Sequence, residues 1–176
     1  DPDQATADTG TTPVQWAARK GDVDVVKLLL EHNCNPSTAK TDTGTTAVYA
    51  AVYKNHVCVV KLLLEYNADT NMARTDTGAT PLYVAVQNDN SAITNMLLAC
   101  NADPNLARSD SGWTPVYIAA LNGRVDVVQQ LLNHNANPNQ ATTDRHGATP
   151  LYKALQRGHI EVVRVLLEHD ADPNQA

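Results

Sequence analysis

Asp8, Asp42, Asp76, Asp110 and Asp144 stand 34 residues apart, and each belongs to a copy of one short phrase. It reads T-D-T-G-A-T-P-L-Y from Thr75 to Tyr83, with A-D-T-G-T-T-P-V-Q from Ala7 and T-D-T-G-T-T-A-V-Y from Thr41. Later copies are S-D-S-G-W-T-P-V-Y from Ser109 and T-D-R-H-G-A-T-P-L-Y from Thr143. One fixed period over the whole chain is the mark of a repeat array, in which each unit packs only on its neighbours. A single unit is too short to bury its own apolar face, so the core has to run continuously from unit to unit.

Each unit has the same local grammar. Asp76 and Gly78 supply turn chemistry, and Thr80 before Pro81 is an N-cap followed by proline at the first helical position. A first helix then runs to about Asn88, with Leu82, Ala85 and Val86 on one buried side. Alanine recurs in one of these slots (Ala17, Ala51, Ala85, Ala119, Ala154), which allows close helix approach. The chain reverses at Gly21, Asn55, Asp89, Gly123 or Gly158. A second, denser apolar helix follows, as in V-D-V-V-K-L-L-L-E from Val23, and must be covered on more than one side. It ends at Asn33, Asn67, Asn101, Asn135 or Asp170, where a left-handed cap is expected. Pro36, Pro104, Pro138 and Pro173 forbid continuation.

Finger turn, T-P-L-Y-x-A, the Gly158-His159 turn, V-V-x-L-L and N-A-D-P-N together resemble the ankyrin repeat, whose usual period is about 33 residues. The resemblance spans the chain. It implies an all-α ankyrin-repeat solenoid of stacked helix-turn-helix units with projecting hairpin fingers, forming one domain over 1–176. The repeats are expected at 7–40, 41–74, 75–108, 109–142 and 143–176, with 1–6 as the tail of a preceding repeat. Tyr49, Tyr83, Tyr117 and Tyr152, with Gln15 in the first unit, stand where the family usually has His, so that residue's bonding between units does not carry over. An extra residue between Asn71 and Gly78 implies a longer finger, and Arg145-His146 lengthens the last one again.

The resemblance also implies a partner, another protein or peptide, on the concave surface made by the fingers and the exposed side of the first helices. Helical spacing assigns that side to Trp16, Arg19 and Lys20, then Ala50, Tyr53 and Lys54, then Val84, Gln87 and Asn88. In the last two units it is Ile118, Leu121 and Asn122, then Lys153, Gln156 and Arg157. These positions vary between copies while Leu63, Leu97 and Leu131 on the second helices do not, as a reading surface on a repeated frame would. Free drift of unconstrained surface produces the same contrast. Trp113, after the finger glycine, is a large aromatic expected on an exposed hairpin. The candidate contact residues are thus Trp16, Arg19, Lys20, Tyr53, Lys54, Gln87, Trp113, Leu121, Lys153 and Arg157.

A formal net charge of -6 disfavours a general nucleic-acid footprint. A nucleotide or oligonucleotide stacked on Trp113, with Arg108 and Lys153 on phosphate, is one alternative, since G-W-T-P resembles the finger of the oligoadenylate-activated ankyrin nuclease. A spacer or engineered scaffold without a natural ligand is another. Cys34, Cys58 and Cys100 read as free thiols of a reducing cytoplasm, although an effector delivered into a host cytosol would look the same. No apolar run suggests a membrane span. His32, His134 and His169 recur at one slot and read as structural, and no catalytic, cofactor or metal motif stands apart from the repeat.

Two further expectations concern charge and the ends. Lys40, Arg74 and Arg108 are expected to pair with Asp42, Asp76 and Asp110 between adjacent fingers. Lys27–Glu31, Lys61–Glu65 and Arg164–Glu168 have the spacing of helical ion pairs. The apolar last helix, I-E-V-V-R-V-L-L-E, predicts a longer array or end-to-end self-association.

Overall fold

A computed structural model of the chain describes residues 3–175. Among them are ten helices and no strand: α1 Pro13–Lys20, α2 Val23–Glu31, α3 Ala47–Tyr53, α4 Val57–Glu65, α5 Pro81–Gln87, α6 Ser91–Ala99, α7 Pro115–Leu121, α8 Val125–Asn133, α9 Pro150–Arg157 and α10 Ile160–Glu168. None exceeds nine residues, a length that is marginal alone in water, so packing and capping must hold them. Each odd-numbered helix is capped by a buried threonine. Thr12, Thr46, Thr80, Thr114 and Thr149 accept from the backbone N–H three residues on, at 3.2–3.4 Å. As expected, Gly21, Asn55, Asp89, Gly123 and Gly158 reverse the chain at positive φ, and Asn33, Asn67, Asn101, Asn135 and Asp170 end the second helices in the same way.

The helices form two layers, α1-α3-α5-α7-α9 inside and α2-α4-α6-α8-α10 outside, each helix touching its neighbours in the layer and its pair partner. Ala51, Ala85, Ala119 and Ala154 are fully buried between inner helices. Leu63, Ile93, Leu97 and Leu131 fill the space between the layers.

Neighbouring units are tied at both edges. The finger N–H groups of Thr75, Ser109 and Thr143 donate to the carbonyls of Thr43, Thr77 and Ser111 in the preceding finger, at 3.0–3.2 Å. At the opposite end of each unit, Asn71, Asn105 and Asn139 accept from the backbone N–H of Asp103, Asn137 and Asp172 at 2.7–2.8 Å. The same amides donate to the carbonyls of Asn101, Asn135 and Asp170, at 3.0–3.3 Å. This ladder explains why N-A-D-P-N recurs, a role that turn propensity alone did not reveal. Asp3 makes the equivalent contact to the Asn35 N–H at 2.8 Å.

Two charge expectations need correction. Lys40, Arg74 and Arg108 bind Asp42, Asp76 and Asp110 within their own fingers, because a two-residue separation across the turn is shorter than the reach to the next finger. Arg164 meets Glu161 at 3.3 Å instead of Glu168. Arg124 and Asp89 form a charge pair between two helix pairs, at 3.0 Å. Lys27–Glu31 and Lys61–Glu65 form as expected, both at 3.9 Å. All three cysteines are free, Cys34 buried and the others exposed. His32, His134 and His169 place Nδ1 2.8–2.9 Å from a carbonyl one turn back, a structural use. In the last unit Tyr152, Leu155, Ile160 and Leu167 are exposed, whereas Tyr117, the counterpart of Tyr152, is buried under its neighbour.

Candidate concave binding face

The inner helices and fingers enclose an open cleft of about 710 Å³ over the first three units. Its helical side carries Trp16, Arg19, Tyr53, Lys54 and Gln87, and its finger side Lys40, Arg74 and Arg108. Trp16 and Tyr53 are 57% and 60% exposed although α1 and α3 pack together. Each carries a cation on its ring. Lys20 Nζ lies 5.1 Å from the Trp16 centroid and Lys54 Nζ 5.6 Å from that of Tyr53.

Not every residue on the outward arc is open to contact. Ala50, Val84 and Ile118 are buried, contrary to the reading of that arc as freely offered, because the alanine slots let adjacent inner helices close over them. Leu121 is half-buried against the core. Trp113 is not an exposed hairpin aromatic either. It folds back on Tyr117, with ring centroids 5.3 Å apart at 40°, and its Nε1 is buried without a hydrogen-bond partner among the described residues. Gln87 and Arg157 are exposed. Lys153 donates to Gln156 at 2.8 Å. Trp113, Leu121, Lys153 and Arg157 lie outside the cleft, in the fourth and fifth units.

The finger bases were missed as part of this face. The Arg74 guanidinium sits 5.7 Å from the Tyr49 ring, and Arg108 sits 5.5 Å from Tyr83, so each arginine bridges an inner-helix tyrosine and the aspartate of its finger. Tyrosine in place of the usual histidine is therefore a platform for the next finger, and the signal for it was Arg two residues before Asp in those fingers. In the first unit Gln15 does a related job, donating through Nε2 to the Thr38 carbonyl at 2.6 Å. Burial, the largest influence, raises the Tyr49 and Tyr83 phenols above their ordinary pKa despite the nearby arginines.

Arg74 donates from Nε to Asp76 at 2.8 Å, and Arg108 to Asp110 at 2.9 Å. Hydrogen bonding to the guanidinium, more than charge alone, lowers both carboxyls to about 2. A depressed carboxyl contributes stability above its ordinary pKa and loses that contribution as pH falls towards 2. In an NMR titration, Asp76 is expected to show a midpoint near 2, returning towards about 3.9 in Arg74→Leu. An unchanged midpoint in the variant would show that Arg74 does not hold it.

What the face offers is contact chemistry: aromatic surface, cations without carboxylate partners among the described residues, and arginines already engaged. Arg108, named above for phosphate, is held by Asp110 and Tyr83. No curated protein matches the chain. A family model described as ankyrin repeats (3 copies) matches residues 1–74, 34–108 and 82–176.

Proposed function

Because the chain belongs to the ankyrin-repeat family, whose repeats generally mediate protein–protein interaction, we propose that it binds a protein or peptide partner on its concave face without catalysis. The observation that carries this reading is the pair of exposed aromatics, Trp16 and Tyr53, side by side in one cleft. Apolar surface of this size in a concave site is characteristic of a covered interface, and Trp, Tyr and Arg dominate the energetics of such contacts. Here all three types converge, with Arg19 beside the rings. Free thiols fit a reducing cytosol as the place of work. Among the described residues, no helix is long and apolar enough to cross a membrane.

A pull-down from cytosolic lysate tests the reading, using the intact chain beside Trp16→Ala/Tyr53→Ala and an outer-layer control, Lys27→Ala/Lys61→Ala. A partner recovered by the intact chain and the control is expected to be lost from the aromatic variant, with an affinity penalty of roughly thirtyfold or more for a hot-spot pair. Equal recovery by all three proteins removes the aromatic cleft as the contact surface.

A further inference from the structure

We infer that the partner segment is an extended acidic peptide with two carboxylate clusters separated by a neutral, partly apolar stretch. This rests on the concave-face reading above and specifies its ligand. The first observation is charge segregation. The chain has 19 acidic residues against 13 Lys and Arg, yet α1, α3, α5, α7 and α9 contain no Asp or Glu. What the inner layer carries instead is Arg19, Lys20, Lys153 and Arg157, with Lys54 immediately after α3. None of these five cations forms an ion pair with a described residue. An acidic protein that leaves its spare carboxylates on other surfaces presents here a face complementary to negative charge.

The fingers do not cancel this field. Asp42, Asp76 and Asp110 are bound by the cations of their own turns, and Asp144 accepts from the His146 N–H at 2.9 Å and the Thr142 hydroxyl at 3.0 Å. Asp8 accepts from the Thr9 N–H at 2.8 Å; its donors and those of Asp144 are neutral, so each keeps its charge, one carboxylate beside the three cations of the first two units and one beside the two of the fifth.

The cations also fall into two stations. Arg19, Lys20 and Lys54 surround the exposed rings of Trp16 and Tyr53 on the first two units, and Lys153 and Arg157 lie on the fifth. Between them the outward positions are neutral: Gln87 and Asn88, then Leu121 and Asn122. From α3 to α9 is three inner-helix steps, roughly 24–30 Å at the usual packing distance, which about eight extended residues span. A peptide can place its charge at those two ends and an apolar side chain against the rings. Nucleic acid fits less well, because its charge recurs at every nucleotide. The middle of the face has only Arg74 and Arg108, both occupied, and half-exposed Asp76 and Asp110 beside them.

Fluorescence anisotropy on the full chain decides the matter. The probe is a labelled peptide with a Glu cluster at each end of a neutral, Leu- and Ser-containing spacer of about eight residues. Comparison peptides have Gln for every Glu, or both clusters at one end, and oligo(dT) serves as the nucleic-acid probe. The two-cluster peptide is expected to bind best, to weaken with salt, and to lose roughly tenfold in affinity with Arg19→Ala/Lys20→Ala/Lys54→Ala. Lys153→Ala/Arg157→Ala is expected to bring it down to the level of the one-ended peptide. The Lys27→Ala/Lys61→Ala control is expected to bind like the intact chain. Failure of the two-cluster peptide to bind, equal binding of the Gln peptide, or tighter binding of oligo(dT) overturns the inference. A lysate partner lost with Trp16→Ala/Tyr53→Ala but indifferent to salt and to the cation variants leaves the concave-face reading standing and removes the acidic peptide alone.

Discussion

Leu97→Ala is expected to destabilise the chain by roughly 2–5 kcal/mol and to divide its unfolding into two steps. Leu97 is fully buried on α6, which touches α4, α8 and α5 and therefore links the two halves of the outer layer. In a compact domain such a cavity lowers one cooperative transition. In a linear stack it weakens both interfaces of the central unit, and among the described residues no extensive helix–helix contact bypasses that unit to restore the coupling. The two tryptophans stand on opposite sides of the lesion, Trp16 on α1 and Trp113 beside α7. Urea unfolding followed by fluorescence of single-tryptophan variants therefore reads each half separately. Distinct midpoints for the two probes, with a shallower slope by circular dichroism, are the expected result. Coincident midpoints in Leu97→Ala would mean that the array stays cooperative through a central defect.

Gly78→Ala is expected to be a strongly damaging change in the fingers, and Gly147→Ala provides its internal comparison. Both glycines have positive φ, 67° and 56°, so alanine costs about 1–2 kcal/mol of backbone strain at either site. Their surroundings differ. A Cβ on Gly78 would lie 2.5 Å from the Ser109 backbone nitrogen, the group that donates to the Thr77 carbonyl across the finger interface. A Cβ on Gly147 would have nothing within 4 Å. The collision has backbone on its far side and cannot be relieved by a rotamer change, so Gly78→Ala should cost a further ~1–3 kcal/mol. Thermal unfolding of the two variants measures the difference. Equal shifts would show that the fingers move apart freely and contribute nothing by their close approach.

Much of this architecture was legible because its causes are local. A threonine followed by proline caps a helix whatever lies beyond it, as Thr80 and Pro81 do, and Asn33 or Asn67 takes the left-handed turn for reasons held within a few bonds. Spacing also placed Trp16, Arg19, Lys20, Tyr53 and Lys54 on one arc, and they remain exposed. The same arc included Val84 and Ile118, which are buried, since helical phase gives direction without saying how near the next helix comes. Trp113 shows a related gap. A hairpin position reads as exposed, but its ring turns back on Tyr117 beneath it.

What the sequence by itself determined is the repeat, the helix pairs, their caps and the direction in which the variable side chains point, all set by interactions within a single period. Only the tertiary structure decided which of those side chains meet solvent, that the finger cations bind their own aspartates, and that Arg74 and Arg108 rest on Tyr49 and Tyr83 of the inner helices α3 and α5. Those outcomes depend on distances between residues far apart in the chain, which repetition makes regular but does not reveal. Burial in a stack belongs to the interface between units, and an interface exists only once the second unit has been placed against the first.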